Sequence, residues 1–399
     1  MVNNEFNFIG KRTFRKKSPF FAYGWALDLL IRLKLQNNRS CIMKLLNLKS
    51  LNSLFIIALL VLGSCTKNVS LTRLMPAEIN VPNHIQRLLI VDRTKPESQG
   101  VAIIEGILTG ELPFEVKNAI DGTLASVQQE LSTSPRYKIV RANERLTGGL
   151  FSQTFPNPLN REMLRALCMR YQADAVLTLE KFSSDFVLTD KKITIKKEVG
   201  KGEDARTIEV PGVLVEGVAT VRVGFRLYDP ESGSILDQDD LVKNNLWSAE
   251  AETKTQAMAL LIEKAQATRY VGQMAGAAYV RRIAPMYLDI NRTFYAKSKK
   301  NTYLETGARY AEVDKWGNAI QSWEEGLSFP ADEKTYGKLC YNIALGQEVL
   351  GDLFLAKEWA AKAYTQYGFK PGRTYAEEID RRMMEDELLH QQLSSPQNQ

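Results

Sequence analysis

Residues 87–92 have the sequence RLLIVD, an apolar run with a charged residue at each end, which is typical of a buried β-strand. Further along the chain, apolar residues recur at helical spacing over 114–131, and a second such pattern follows Asn160, a residue type that caps helices well. Two more short apolar runs, at 137–141 and 174–180, complete an order of strand, helix, strand, helix, strand. This order predicts an α/β sandwich.

The next segment has the pattern of antiparallel strands. Apolar and polar residues alternate over 219–228, and Asp229–Gly233 has the composition of a hairpin turn. The lysine-rich stretch 190–206 is expected to form an exposed hairpin tip. The strands predicted here are 193–197, 206–210, 214–229 and 234–241. The sheet is therefore expected to contain both parallel and antiparallel neighbours.

Beyond residue 250 the strand pattern is replaced by helical patterns. The stretch 257–282 contains Gly272 and Gly276, and small residues one turn apart favour close packing of one helix on another. The expected fold class is therefore α+β. A mixed-sheet α/β sandwich domain at 87–250 is followed by an all-α helical-repeat domain at 251–390.

The helical region contains a repeated pattern of small and aromatic residues. Its two copies place Ala319 and Ala356 at equivalent positions, where small side chains let antiparallel helices approach closely. The pattern resembles the 34-residue tetratricopeptide unit, with the extra residues assigned to a loop at 332–337; a plain helical hairpin is the alternative. The residues expected to pack the repeats are Gly307, Tyr310, Trp316, Ala319, Trp323, Ala344, Gly351, Ala356 and Ala363. Since three repeats are usual, residues 285–305 or 371–389 should supply further helices.

The segment before the folded part has the features of an export signal. Met43 is followed by two lysines, a nine-residue apolar run at 54–62, and the sequence Leu-Gly-Ser-Cys ending at Cys65. This resembles the lipobox of bacterial lipoproteins, which implies cleavage before Cys65 and acylation of that residue. The expected segments are 1–42, a mis-assigned start or a leader; 43–64, the signal peptide; 65–86, the lipid anchor and tether; and 391–399, a disordered tail.

The charge of the chain does not favour nucleic acid as a partner. The formal net charge is +6, but basic residues are concentrated before Cys65, and the remainder is slightly acidic. The sequence also contains few of the residues and motifs that known enzymes use. There are two histidines, His84 and His390, and no Walker A, dinucleotide-binding, HExxH or CxxC motif. We expect no cofactor, no metal site and no enzymatic activity.

A few residues allow more than one interpretation. Glu180 and Asp185 could form a carboxylate pair for glycoside chemistry, although surface acids are the simpler interpretation. The acidic residues Asp237, Asp239 and Asp240 lack the spacing of a calcium loop. Cys168 and Cys340 lie in different predicted domains and are expected to be free thiols, with a disulfide as the alternative.

The order of elements over residues 85–250 resembles the small α/β domains of envelope proteins such as the amino-terminal domain of TolB and the secretion lipoprotein CsgG. Residues 282–287 and 291–295 resemble segments of uncharacterised Bacteroidota lipoproteins. These resemblances imply a non-catalytic, membrane-anchored protein-binding module or scaffold whose helical repeats bind envelope proteins. An envelope hydrolase and a self-assembling secretion component are the alternatives, and the oligomeric state is left open. Because no acidic run follows Cys65, the resemblance implies an outer-membrane anchor with the folded part in the periplasm.

Overall fold

The computed structural model describes residues 66–95, 113–150, 154–200 and 205–394. The chain divides into two compact units. Of the residues that the structure describes, the sheet unit holds those within 74–287 and 386–394, and the helical unit holds 66–73 and 288–385. The predicted fold class, α+β with a mixed sheet followed by an all-helical region, is confirmed.

The strands of the described residues are β1 (Thr66–Met75), β2 (Arg87–Lys95), β3 (Lys138–Thr147), β4 (Gly149–Leu150), β5 (Ala175–Val199), β6 (Arg206–Asp229), β7 (Ser234–Ala251) and β8 (Met286–Tyr295). The helices are α1 (Pro113–Thr133), α2 (Arg161–Tyr171), α3 (Lys254–Leu260), α4 (Lys264–Ile283), α5 (Thr302–Glu312), α6 (Trp316–Leu327), α7 (Glu333–Leu350), α8 (Leu353–Thr365) and α9 (Lys370–Leu393). No helix in these described ranges is long and apolar enough to cross a membrane.

The main sheet has the strand order β3-β2-β5-β6-β7, with β4 beside β5. Strand β2 is parallel to β3 and β5, whereas β6 is antiparallel to β5 and β7. Leu88 and Ile90 on β2 join the core that includes α1 and α4, and Leu89 and Val91 join the core that includes α2. Successive side chains of a strand point to opposite faces, and helices cover both faces of β2. The four central residues of RLLIVD are therefore all apolar.

Helix α4 belongs to the sheet unit, which moves the domain boundary expected at 250/251. A Cβ added at Gly272 would lie 2.4 Å from the Thr123 hydroxyl oxygen, and one at Gly276 would lie 2.7 Å from the Thr123 carbonyl oxygen. The two glycines therefore let α4 approach α1 backbone to backbone, as their spacing predicted. The expected single helix at 257–282 is instead divided into α3 and α4.

Two segments differ from the expectation of unstructured ends. Residues 66–75, expected to be part of a tether, form β1, which pairs with β8. The Thr72 hydroxyl donates to Asp289, and that of Thr293 donates to Asn68, so the two strands run antiparallel. Residues 391–393, expected in the tail, end α9, where the buried side chain of Gln392 bonds both backbone polar groups of Ala77 at 2.8 and 3.0 Å.

Strands β5, β6 and β7 are 25, 24 and 18 residues long and continue beyond the rest of the sheet. The separate strands predicted at 193–197 and 206–210 are the far ends of β5 and β6, which pair without interruption from Phe182–Val223 to Val199–Arg206. We call the part formed by residues 183–199, 206–222 and 242–251 the arm. The predicted hairpin tip at 190–206 is the end of this arm, and its side chains are largely exposed.

Candidate binding surfaces

The helical unit is built from antiparallel helix pairs that recur every 37 residues. Asp314 and Gly351, 37 positions apart, both adopt the left-handed conformation between the helices of a pair, with φ of 60° and 94°. Pairs α5–α6 and α7–α8 are followed by α9, which takes the place of the first helix of a third pair. Residues 333–337, expected in a loop, are the first turns of α7, capped by the Asp332 side chain.

The structure places most of the predicted packing residues in the interior of the helical unit. A Cβ added at Gly307 would lie 2.2 Å from the indole nitrogen of Trp323, so only glycine permits this crossing of α5 and α6. The other interior members of the predicted set are Trp316, Ala319, Trp323, Ala344, Ala356 and Ala363. Small and large residues thus alternate across the helix contacts.

Two predicted packing residues have other positions. Tyr310 is 37% exposed because it lies on the outer side of α5. Gly351 ends α7 in a left-handed turn, and a Cβ added there would meet no atom within 4 Å. The close contact that sequence reasoning missed is at Gly346, where an added Cβ would lie 2.5 Å from the Ile320 side chain.

The face made by the first helices carries strand β8 of the same chain. The amide of Asn342 on α7 accepts a hydrogen bond from the backbone N–H of Tyr295 at 2.9 Å and donates one to its carbonyl at 2.7 Å. The neighbouring Phe294 is buried and packs edge-on against Trp316, with ring centroids 6.1 Å apart. An extended segment is therefore bound here through its backbone, so this part of the helical surface is occupied.

A buried carboxylate next to this contact holds three elements together. Glu348 on α7 is completely buried and forms a two-pronged ion pair with Arg292 of β8, at 2.9 and 3.0 Å. Two groups of α9 also donate to it: the Arg382 guanidinium at 2.7 Å and the Tyr375 hydroxyl at 2.5 Å. Burial of Glu348 opposes ionisation, but the bonds and charge of Arg292 outweigh it and hold the pKa of the carboxyl below its ordinary value.

The sheet unit contains a second cluster of the same kind. Glu180 on β5 is completely buried and accepts from Arg93 and Arg226, both at 2.9 Å, and from the hydroxyls of Tyr228 and Thr178. Its two oxygens are thus engaged by positive or hydroxyl groups, whereas Asp185 is exposed. The carboxylate pair considered for glycoside chemistry does not form a shared cleft.

The two arginines of this cluster also hold the segment that follows residue 153. Arg93 donates to the carbonyl of Asn157 at 2.6 Å, and Arg226 donates to that of Pro156 at 2.7 Å. The Arg226 guanidinium lies 4.5 Å from the centre of the Phe155 ring. The cluster therefore orders backbone at the edge of the sheet where the parallel strands end.

The three acidic residues of the β7 start are paired with cations. Asp237 accepts two bonds from the guanidinium of Arg282 at 2.9 and 3.0 Å, and Asp240 pairs with Lys181 at 2.8 Å. Asp239 lies 3.8 Å from Arg282. Within the described parts of the chain, no three His, Cys, Asp or Glu side chains are grouped so that they could hold a metal ion.

The cysteines fall into two sets. Cys168 and Cys340 are both buried, free thiols, and burial raises the pKa of each to about 11. They are unreactive structural residues by this measure. Cys65, the predicted lipid-attachment residue, and the signal segment 43–64 lie outside the described residues.

The arm presents one face that none of the described helices covers. Directly paired residues share a face of a sheet, so the register Val187–Val218–Leu246 places three apolar residues side by side. On the opposite face, a Cβ added at Gly217 would lie 3.0 Å from Leu261, directly after α3. The face of Val187 therefore points away from α3. Val187 and Leu246 are 51% and 55% exposed.

Comparison with known families identifies the sheet region. Residues 85–295, just over half of the chain, match the family described as "Domain of unknown function (DUF8603)". The chain belongs to this family. Residues 305–388 match a second family, "Domain of unknown function (DUF6340)", which covers the helix pairs and part of α9. No curated protein matches the chain.

Several solved structures show weak similarity. A PelC dodecamer from Paraburkholderia phytofirmans has 10% identity and a TM-score of 0.23, with 55% of this chain and 99% of that chain covered. TolB from Acinetobacter baumannii has 12% identity and a TM-score of 0.20, covering 54% and 31%. A putative neuraminyllactose-binding hemagglutinin homolog from Helicobacter pylori has 12% identity and a TM-score of 0.22, covering 51% and 84%. TolB, whose amino-terminal domain the order of elements resembles, is thus among the weakly similar structures.

Proposed function

We propose that the protein is a lipid-anchored, non-catalytic protein-binding module of the bacterial cell envelope. The observation that carries this proposal is the presence of two successive helix pairs whose turns lie 37 residues apart. Such stacks present extended surfaces to other proteins, because each pair adds a similar strip of exposed side chains. The buried interior of these pairs supports a structural and binding role for the helical unit.

The partner-binding surface of the helical unit lies at the turns between paired helices. The face of the first helices is occupied by β8, which Asn342 holds through the backbone. At the turns, by contrast, equivalent apolar residues are exposed: Val313 by 64% in the first pair and Leu350 by 53% in the second. Phe354, directly after the second turn, is 63% exposed. Exposed apolar residues that form a contiguous patch are typical of interaction sites.

A photo-crosslinking amino acid at position 354 tests this surface. In cells, we expect this position to form adducts with one envelope protein. These adducts should still form when the cells are diluted before irradiation. Lys357, three residues along the same helix and also exposed, provides the matched control. The substitution Phe354→Ser should abolish the adducts formed from position 313. Equal adducts from positions 354 and 357 would show that the turns have no specific partner.

The membrane attachment rests on the sequence that ends at Cys65. Several acyl chains on this residue would give lasting attachment, whereas one chain gives only marginal binding. We expect labelled palmitate to be incorporated into the protein, and Cys65→Ala to abolish both the label and membrane retention. Labelling of Cys65→Ala at the level of the parent protein would contradict the anchor.

The position at the periplasmic side of the outer membrane is tested by protease treatment of intact cells. Residues 66–75 contain two basic residues and no acidic residue. We therefore expect the protein to survive treatment of intact cells and to be degraded after the outer membrane is permeabilised. Degradation in intact cells would place the folded part at the cell surface.

A further inference from the structure

Apolar residues recur along the uncovered face of the arm, and polar residues such as Thr189, Lys191 and Glu216 lie between them. On β5 the residues of this face include Val187, Ile193, Ile195 and Val199, and on β6 they include Ile208, Val210, Leu214 and Val218, as the register requires. The opposite face of the far arm is mostly polar, with Pro211 and Val213 as its apolar members. Its polar residues are Lys192, Thr194, Lys196, Glu198, Thr207 and Glu209. A solvated hairpin needs no such apolar stripe. The stripe points away from α3, which packs on the other face.

We propose that this face, which we call the arm face, is where two copies of the chain dock, antiparallel and face to face. The proposal goes beyond the binding role of the helical unit and is independent of it. A two-fold contact requires a self-complementary surface, because the same patch is used by both copies. The arrangement of charge on the arm face meets this requirement.

Charges of opposite sign lie at the two ends of the arm face. Lys197 and Arg206 lie near the tip, and Asp185 and Glu216 lie nearer the rest of the sheet. Lys191 lies between these two groups, and Arg222 lies beyond Asp185. Lys197 also pairs with Glu252 of its own chain. A two-fold axis through the Ile193–Gly212 pair brings the row of Lys197 in one copy opposite the row of Glu216 in the other. Lys197 of each copy then lies near Glu216 of its partner, and the row of Arg206 lies opposite the row of Val187.

The size of the arm face sets the strength of the contact. The 13 residues from Val187 to Val199 extend over about 40 Å at roughly 3.3 Å per step. With two to three strands spaced about 4.8 Å apart, docking buries about 1,000 Å² in total, at the lower limit for specific association. We therefore expect a weak dimer whose population depends on concentration. Attachment of both copies to one membrane would raise that population.

Disulfide trapping tests the geometry in the full chain as it exists in membranes. Ile193→Cys lies next to the two-fold axis, so mild oxidation should give a product of twice the monomer mass. Thr194→Cys, on the opposite face of the same strand, is the matched control and should remain monomeric. The native cysteines Cys168 and Cys340 are buried and do not compete. No product from position 193, or equal product from 193 and 194, overturns the proposal.

Substitutions on the two faces test the energetics in detergent solution by sedimentation equilibrium. Ile195→Lys should raise the dimer dissociation constant at least tenfold, whereas Thr194→Lys should leave it unchanged. Lys197→Glu should weaken the dimer, and adding Glu216→Lys to the same chain should restore it. This rescue distinguishes a second copy from any other occupant. If Ile195→Lys instead reduces binding to lipid vesicles without changing the dimer, the arm face is a membrane surface and the proposal is wrong.

Discussion

Replacing Glu348 by glutamine removes the charge at the centre of the helical unit while keeping the side-chain shape. The carboxylate is completely buried and accepts from Arg292, Arg382 and Tyr375. Both guanidiniums are themselves largely buried, with 11% and 16% of the side chain exposed. Breaking a buried ion pair from one side costs about 3–5 kcal/mol, because it leaves uncompensated charge in the interior.

The matched control is Glu378→Gln. Glu378 also pairs with Arg292, at 2.7 Å, but its side chain is 34% exposed. Solvent screens such a pair, so its loss should cost less than about 1 kcal/mol. The two variants remove the same functional group beside the same arginine, and they differ in burial.

Urea unfolding, monitored by tryptophan fluorescence, measures the difference in stability between the two variants. Of the tryptophans in the described residues, Trp316, Trp323 and Trp359 lie in the helical unit, and Trp247 lies in the sheet unit. With an m-value of about 1.5–2 kcal/mol/M, Glu348→Gln should lower the midpoint by roughly 2 M. If both variants shift the midpoint equally, the buried carboxylate is not the element that holds β8 to the helices.

The same cluster predicts a pH dependence. The pKa of Glu348 is lower in the folded chain than the ordinary glutamate value of about 4.3. Its contribution to stability is therefore complete above pH 4.3 and is lost as the pH falls through the folded pKa. We expect the stability difference between the parent protein and Glu348→Gln to shrink on acidification. A difference that is constant from pH 7 to pH 3 would contradict this assignment.

Four further predictions concern the packing of the helical unit, and thermal or urea unfolding measures each of them. Gly307→Ala should destabilise by about 1–3 kcal/mol because the new methyl group meets a tryptophan ring. Gly317→Ala, where a Cβ meets nothing within 4 Å, should instead stabilise by about 0.5–1 kcal/mol. Ala356→Leu should cost about 1–3 kcal/mol by overpacking, whereas the exposed Lys357→Ala should have little effect. Asn342→Ala should cost about 1–3 kcal/mol, since two backbone groups of β8 lose their partner.

The sheet core could be predicted because its signal is local. The RLLIVD strand, the helix over 114–131 and the cap at Asn160 each depend on residues close together in sequence. Asn160 accepts a hydrogen bond from the N–H of Met163, as its position before an apolar helical pattern predicted. The hairpin turn at Asp229–Gly233 is likewise a short-range feature.

The pairing of β1 with β8 could not be predicted in this way. The paired residues Thr72 and Asp289 are separated by 217 positions, and neither segment alone has a strong strand pattern. Residues 66–75 consequently had the appearance of a tether. The domain boundary was misplaced for a related reason: the helical pattern of α4 does not show that its small residues, Gly272 and Gly276, face α1.

The sequence did not predict the buried charged residues, because alternation of apolar and polar residues in a strand does not show how far a covering helix extends. On β6, Thr220, Arg222, Arg226 and Tyr228 share one face. The alternation of apolar and polar residues predicted that this face was exposed to solvent. The structure covers one end of it, so Arg226 and Tyr228 are buried while Arg222 is exposed. Arginine and tyrosine at such positions are compatible with either surroundings.

Each of the two units contains one buried cluster, and the two clusters are made of the same chemical groups. In each, one fully buried glutamate accepts from two arginines and a tyrosine hydroxyl: Glu180 in the sheet unit and Glu348 in the helical unit. Desolvation makes such clusters a weak source of stability, and apolar replacements often do as well. Their geometry is far more demanding than that of an apolar contact, so a shifted register leaves charges unpaired.

Glu180 lies at the irregularity between Leu179 and Lys181, where β5 passes from its parallel neighbour to the arm. Glu348 lies where β8 meets the helices. Both clusters therefore fix the register of a long strand at the place where apolar alternation alone would permit a slip.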